Sequence, residues 1–533
     1  MFVRPFLMAL ALGLVVTRGY SQAEAPDMIW QSSAVQFSVG AKGLTWALDG
    51  GLLLSNGRRG GGELDYLTTN AGVGLPQVYE SPTVSGDGGG YVGVSSTGSV
   101  VATVYSVTTA GGGGGSDRIL LRILSGMPPS SPVTVELPLS QPLAYPGSFG
   151  VCVLADGLII RAWGYSGQGA ITRLFTYSSQ GIQLSAQDVQ LGTPVFGSAA
   201  SRDGRTLVLH GLTSARVFTL GSGLPMQSIQ LPVVSYGFLT CSGSGDLIAW
   251  GSTNGWIPVS RRSSIDQPFS TPQLFPTTPA GMATAIDLST DGTVLALGLQ
   301  DLGDSHSCRQ QVFSMAGITP TLVSNRHLSG PSGSTILVTA VDAGEDGSKV
   351  AFGTTGSLTS AVPEVEVLRR AVGGGYGSSV AYSLQLPGSC LGVALSSRDN
   401  QLAVLSSATH VDQGSGLCTV ALYDLDSDLR VIGQPQVGHA VEVQVDAAFG
   451  RRVVLYRSNA LATPAVYMGG MGELHLAGPS IAGGTTGAID GIARFDVMLA
   501  AGTFVPGTTH HFQALRLNPR RLTEQTASFT VVP

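Results

Sequence analysis

The feature that most constrains this chain is a repeated hairpin phrase: an apolar alternating strand, an Asp-Gly or similar tight turn, and a second apolar strand ending in a small residue. It begins at LTWALDGGLLLSNG, with the turn at Asp49-Gly50, and recurs as VGVSSTGSVVATVYS around Gly98, VCVLADGLIIRAWG at Asp156-Gly157 and SAASRDGRTLVLHG at Asp203-Gly204. Then come LTCSGSGDLIAWGS around Gly245, AIDLSTDGTVLALG at Asp291-Gly292, TAVDAGEDGSKVAFG at Asp346-Gly347 and VALSSRDNQLAVLSS at Asp399-Asn400. A second phrase follows several of these hairpins, a third strand with a central aromatic: RLFTYSSQG from Arg173, RVFTLGSG from Arg216, QVFSMAG from Gln311 and ALYDLDSD from Ala421. The turns recur every 41 to 59 residues or so, the period of stacked four-stranded units.

One four-stranded sheet has two apolar faces and cannot bury both alone, whereas radial packing of such sheets buries them all. The repeat therefore predicts an all-β chain: a β-propeller of about eight four-stranded blades, with seven to nine compatible with the spacing, followed by a small C-terminal β-sandwich. From residue 29 to 437 the phrases resemble those of the WD-repeat and YVTN-type propeller families, in which a strand, a DG turn, a strand and an aromatic third strand follow in that order. The GH and WD signatures are missing from nearly every unit, with Tyr423-Asp424 the nearest echo. The resemblance implies the fold and transfers no function.

From about residue 438 the aromatic third strand does not return. The closing run GTTHHFQALRLNPRRLTEQTASFTVVP, with Gly507-Thr508-Thr509, the strand His511 to Ala514 and the last strand Ala527 to Val532, resembles a C-terminal β-sandwich module found at the ends of many exported bacterial proteins. Giving residues 438–533 to that module also takes the hairpin around Phe449-Gly450 away from the propeller, which leaves eight blades rather than nine.

Composition agrees with a turn-rich β chain: 74 glycines and only 12% charged residues among 533. A net charge of -6, with Lys42 and Lys349 the only lysines, removes the basic field that a nucleic acid backbone would need. Residues 1–23 have the layout of a secretory signal peptide: Arg4, an apolar run from Phe6 to Val16, and small residues at a cleavage point after Ala23 or Ala25. That run is about half the ~20 residues needed to span a bilayer. The expected location is secreted or periplasmic in a bacterium, not membrane-spanning, and the expected state is a monomer. Cys152, Cys241, Cys308, Cys390 and Cys418 are an odd number, and Cys390 and Cys418 would lie two strands apart in one blade, so small buried thiols are expected rather than a disulfide framework.

Candidate chemistry is sparse. Asp424, Asp426 and Asp428 form a D-x-D-x-D run like the start of a calcium loop and are the metal-site candidates, but Leu429 stands where the loop glycine belongs and Pro435 where a bidentate glutamate would be needed. His510 and His511 are strand neighbours that point to opposite faces, with a solvated His510 and a partly packed His511 expected. His306 and Cys308 share a face but lack a third ligand. The glycine runs Gly111 to Gly115 and Gly373 to Gly375 are not followed by the Gly-Lys-Ser/Thr of a phosphate loop, and Gly243-Ser244-Gly245 belongs to a hairpin turn rather than to a nucleophile elbow. Trp46, Trp163 and Trp250 fall near equivalent hairpins, as packing between blades requires.

The reading is a non-enzymatic exported propeller that acts as a binding or scaffold protein toward an unknown protein or glycan, without a cofactor. The alternative is a hydrolase or lyase whose carboxylates converge on the central channel from separate blades. The variable loops between second and third strands can form a binding surface, and are equally the places where insertions cost least.

Overall fold

The computed structural model describes residues 26–31, 35–36, 44–46, 52–56, 64–68, 77–80, 90–95, 98–107, 118–126, 132–140, 142, 149–166, 171–221, 225–304, 306–332, 334–357, 362–370, 376, 380–396, 401–407, 409–410, 417–425, 429–432, 436–446, 452–468, 473–487, 492–500, 503–517, 521–522 and 527–531. Every regular element among them is a strand.

Seven consecutive sheets each contain four antiparallel strands in sequence order, spanning residues 44–80, 90–136, 149–189, 197–230, 239–276, 281–329 and 338–384. The eighth is assembled from both ends of the repeat: Cys390–Ser396, Gln401–Ser407 and Leu417–Asp424 supply three strands, and Asp27–Gln31 adds the fourth by pairing with Leu417–Asp424. The first strands of the sheets touch in order around a ring, and that of the first sheet, Leu44–Trp46, contacts both the second sheet and the eighth. Between the third and fourth sheets the join is made by Ala155 N–H donating to Asp203 O at 2.9 Å and by a core that includes Cys152, Trp163, Leu207 and Leu209. The fold is a closed eight-bladed propeller, as the hairpin count predicts.

The repeated turn has one construction. Gly98, Gly157, Gly204, Gly245, Gly292 and Gly347 all sit at φ between +64° and +74°, a left-handed conformation that glycine adopts without a Cβ penalty. Asp203 Oδ1 accepts from Arg205 N–H at 3.0 Å and Asp291 Oδ1 from Thr293 N–H at 2.9 Å, the Asx geometry that selects aspartate before such a glycine. Ser95, Ser201, Ser242 and Ser289, three residues ahead of four of these glycines, are buried and accept from the backbone N–H five residues on. The turn aspartates are structural punctuation.

Between blades the apolar faces meet in separate cores. One joins Val100, Ala102 and Val104 to Phe149, Val151 and Val153, and another joins Val294 and Ala296 to Val350 and Phe352. Trp163 and Trp250 are buried in such cores, where large rings bury the most area per residue.

After the eighth blade the described residues form three further sheets: Leu429–Ile432, Ala440–Asp446 and Ile492–Met498 in the first, Arg452–Ser458, Ser480–Gly487, Thr509–Arg516, Arg521–Leu522 and Ala527–Thr530 in the second, and the pair Leu461–Tyr467 and Glu473–Leu476 in the third. Val441, Val443 and Val445 from the first meet Val453, Leu455, Phe512 and Ala514 from the second in one core, which contains no residue of the propeller. Leu429–Ile432 pairs with Ala440–Asp446, so these sheets take in strand residues ahead of 438.

Candidate functional site

The inner strands run the same way around the ring, which therefore has a turn face, where those of the second to seventh blades end in the glycine turns, and a front face, where the inner strands begin. At the turn face the blades are sewn together backbone to backbone. Arg202 N–H donates to Gly243 O at 3.1 Å, Gly243 N–H to Thr290 O at 2.8 Å, and Asp291 N–H to Glu345 O at 3.0 Å. The Arg202 side chain reaches further. From the fourth blade it passes the fifth, donates to Thr290 Oγ1 in the sixth at 2.6 Å, and lies 3.7 Å from Glu345 Oε1 in the seventh. The fifth blade allows this because Gly243 has no side chain; a Cβ there would run into Thr290.

Just inside this mouth two inner strands each carry an aspartate. Asp287 of the sixth blade accepts from Thr240 Oγ1 of the fifth at 3.1 Å through Oδ1, and from Ala343 N–H of the seventh at 2.9 Å through Oδ2. Asp342 of the seventh accepts from Gly344 N–H at 2.8 Å through Oδ1, and from Leu395 N–H of the eighth at 2.9 Å through Oδ2. Burial pushes Asp287 up to about 7, and the like charge of Asp342 adds to the rise against the donors that favour the anion. Asp342 is also raised by burial, opposed by its backbone donors and by Arg202. These are two interacting carboxylates on adjacent blades, the arrangement the enzymatic alternative calls for, but all four oxygens already accept hydrogen bonds from the chain. Chemically the pair is a brace across four blades.

A second titratable pair lies between the seventh and eighth blades. Buried Glu364 accepts from Leu386 N–H at 2.7 Å and sits 3.9 Å from His410 Nε2, while His410 Nδ1 is 3.0 Å from Thr355 O. Burial raises Glu364, with its backbone donors and His410 opposing.

The front face differs in chemistry. Between the fourth and fifth blades Phe196, Val234, Tyr236 and Trp256 are 37%, 38%, 56% and 38% exposed. Phe196 and Tyr236 each precede a glycine at the entrance to an inner strand, and the two glycines touch: a Cβ at Gly237 would run into Phe196 O, and one at Gly197 into Gly237 O. Backbone contact closer than any other residue pair allows therefore holds the two aromatic positions on adjoining connections. The neighbouring loop is tied in where Thr253 N–H donates to Val234 O at 3.3 Å and Trp256 N–H to Ser252 Oγ at 2.9 Å.

Sequence reasoning passed over both sets, though each leaves a signal. Asp287 and Asp342 stand five residues ahead of the turn glycine in AIDLSTDG and AVDAGEDG, and the aromatic-glycine pairs are written in VFGS and SYGF. Of the metal candidates, Asp424 ends the third strand of the eighth blade opposite Asp27 and Gln401, and Asp426 and Asp428 lie outside the described residues. Among the described residues no three His, Cys, Asp or Glu side chains converge as a metal centre. His306 Nδ1 is bonded to Ser334 O while Cys308 is fully buried in the core between the sixth and seventh blades, so they do not come together as ligands. The expectation for His510 is reversed: it is the buried member of its pair, packed against Phe504 with ring centroids 4.6 Å apart and the planes tilted by 58°, because it shares the core-facing side of its strand with Phe512 and Ala514. The five cysteines are unpaired; four are buried and Cys241 is half-buried. Among the described residues no helix is long and apolar enough to cross a membrane.

No protein-family description matches the chain, and no curated protein is similar to it in sequence. Among solved structures it is similar to a protein of unknown function from Desulfotomaculum acetoxidans DSM 771, at 14% identity and a TM-score of 0.38 over 55% of this chain and 84% of that one. It is also similar to the β-propeller domain of Cps50 (Swd1) from Myceliophteria thermophila, at 12% identity and a TM-score of 0.40 over 73% of this chain and 99% of that domain. The eight-bladed assignment rests on the chain's own ring of sheets.

Proposed function

We propose that this chain is an exported, non-enzymatic propeller that binds a ligand on the front face of its fourth and fifth blades. The observation that carries the reading is the set of exposed rings at Phe196, Tyr236 and Trp256, held on adjoining connections by the Gly197 and Gly237 contact. Aromatic side chains presented to water on a rigid frame supply contact area at little entropic cost. Export is supported by the signal-like layout of residues 1–23. The channel aspartates support a structural role, since their oxygens are engaged by neighbouring blades.

The test is a surface-immobilised chain screened against extracellular polysaccharides and peptides, with a Phe196→Ser/Tyr236→Ser double variant in the reference channel. Ligands retained by the wild type and lost by the variant support the reading; a ligand held equally by both overturns it. The hydrolase or lyase alternative draws on the same Asp287 and Asp342 pair, because a carboxyl kept protonated near neutral pH is suited to general acid catalysis. A panel of ester, glycoside and peptide substrates separates the two, with no turnover expected; turnover abolished by Asp287→Asn/Asp342→Asn would establish the enzyme.

A further inference from the structure

We infer that the ligand of this front face is a neutral polysaccharide whose sugar rings present a flat C–H face, an inference that rests on the binding reading above and adds the chemistry of the occupant. The connections that build the face are residues 190–196, 211–214, 231–238, 251–256 and 277–281, and they contain no Asp, Glu, Lys, Arg or His. In a chain where charged residues make up 12% of the whole, these thirty residues offer neither a cation for an anionic polymer nor a carboxylate for a basic one. The charges nearest to them, Arg173 with Asp188 and Asp301 with Arg309, are paired with each other, so these connections themselves favour a ligand without charge.

What the face does offer is ring surface beside hydrogen-bond donors. Asn254 is exposed, and its side-chain oxygen is occupied by Ser252 Oγ at 2.8 Å, so the amide N–H groups are the part left to meet a ligand. Thr193 Oγ1 accepts from Leu212 N–H at 3.4 Å, which leaves its O–H to donate. The phenol of Tyr236 is on the most exposed of the three rings. Aromatic faces paired with uncharged donors match a pyranose ring with equatorial hydroxyls: its C–H groups lie over the aromatic face while its oxygens accept at the rim. The three rings are between 37% and 56% exposed. They stand on three separate connections, which suits a polymer rather than a single sugar.

The experiment is affinity electrophoresis and calorimetry of the processed full chain against a neutral mixed-linkage β-glucan and hydroxyethylcellulose, with alginate and polygalacturonate as charged comparators and an immobilised peptide library as the protein arm. Retardation by the neutral polymers and not by the charged ones is expected, with about a tenfold or greater loss of affinity in Tyr236→Ala and a smaller loss in Tyr236→Phe, which keeps the ring. Tyr236 is surface-exposed, and a native-like thermal transition in both variants keeps the comparison valid; a ligand-induced tryptophan fluorescence change that disappears in Trp256→Phe gives a readout independent of affinity. Three outcomes would overturn the inference: no binding to any neutral polymer, equal binding to the charged ones, or capture of peptides alone. If peptides bind and Tyr236→Ala abolishes it, the binding face stands and the saccharide falls. If a polysaccharide binds and none of the ring variants changes it, both fall.

Discussion

Asp287 in the sixth blade accepts a hydrogen bond from the backbone N–H of Ala343 in the seventh at 2.9 Å. Asp342 makes the same kind of bond to Leu395 in the eighth. A side-chain acceptor that satisfies a neighbour's backbone donor fixes the angle between blades at a point where no ladder bond can.

Removing that acceptor leaves buried donors unsatisfied, so Asp287→Ala is expected to lower stability by about 1–3 kcal/mol. Asp287→Asn keeps an acceptor for Ala343, and the Thr240 hydroxyl can turn to accept from the new amide. Its expected effect is on pH dependence. Burial raises Asp287 to about 7, above the ordinary aspartate value of about 3.9, so between those values the native chain holds a proton that the unfolded chain has lost. The contribution is full below about pH 4 and disappears as pH rises toward 7. In denaturant midpoints measured from pH 4 to 8, the difference between wild type and Asp287→Asn should shift against the wild type as pH rises across that window; superimposable profiles would rule out the coupling.

His210 acts in the opposite sense. It is fully buried, and neither ring nitrogen has a hydrogen-bond partner among the described residues. Leu207 and Leu209 belong to the core between the third and fourth blades and Val208 to that between the fourth and fifth, so strand alternation puts His210 on the latter side. Burial lowers its pKa to about 4, and its contribution is present above about pH 6.5 and lost as pH falls toward 4. His210→Leu should stabilise the chain by about 1 kcal/mol at pH 7 and lessen that acid-side loss. A destabilised variant at pH 7 would mean that the imidazole has a role in packing that leucine cannot fill.

Glycine at 237 is required by both conformation and space. Its φ is +87° and a Cβ would meet Phe196 O, whereas Gly192 has φ +73° with open space around it. Gly237→Ala is expected at the upper end of the ~1–3 kcal/mol that backbone strain costs, and Gly192→Ala at about 1 kcal/mol. Chemical denaturation of the two variants gives the comparison; equal losses would remove the steric part of the argument.

The pairing of Asp27–Gln31 with Leu417–Asp424 closes the ring. Deleting residues 26–36 leaves the third strand of the eighth blade as an open edge. The thermal midpoint should fall by more than about 5 °C, with faster proteolysis at the first and eighth blades. An unchanged midpoint would show that the ring does not depend on this strand.

The fold was legible because its determinants are local. Alternation of apolar residues, the Asp-Gly turns and the aromatic third strand are written within single units, and repetition multiplies the signal, so the blade count could be read before any contact was known. The closing strand carried no such mark: Asp-Met-Ile-Trp-Gln is one short strand among many, and only the ring geometry that brings residue 27 beside residue 424 gives it a partner. His510 was misplaced for a related reason, since alternation shows that two neighbours face apart without saying which side holds the core. The acidic run at Asp424 looked like chemistry because composition was the only guide. Asp287 and Asp342 looked like nothing, because their partners lie 47 to 56 residues away in other blades.

The sequence by itself therefore determined the repeating unit, its approximate number and the absence of charge in the front-face connections, all properties of residues close together along the chain. The tertiary structure decided which strand closes the ring, which aspartates brace it, and that Phe196 and Tyr236 lie on touching backbones. Those are distances between blades, set by radial packing, and no pattern within a single blade encodes them.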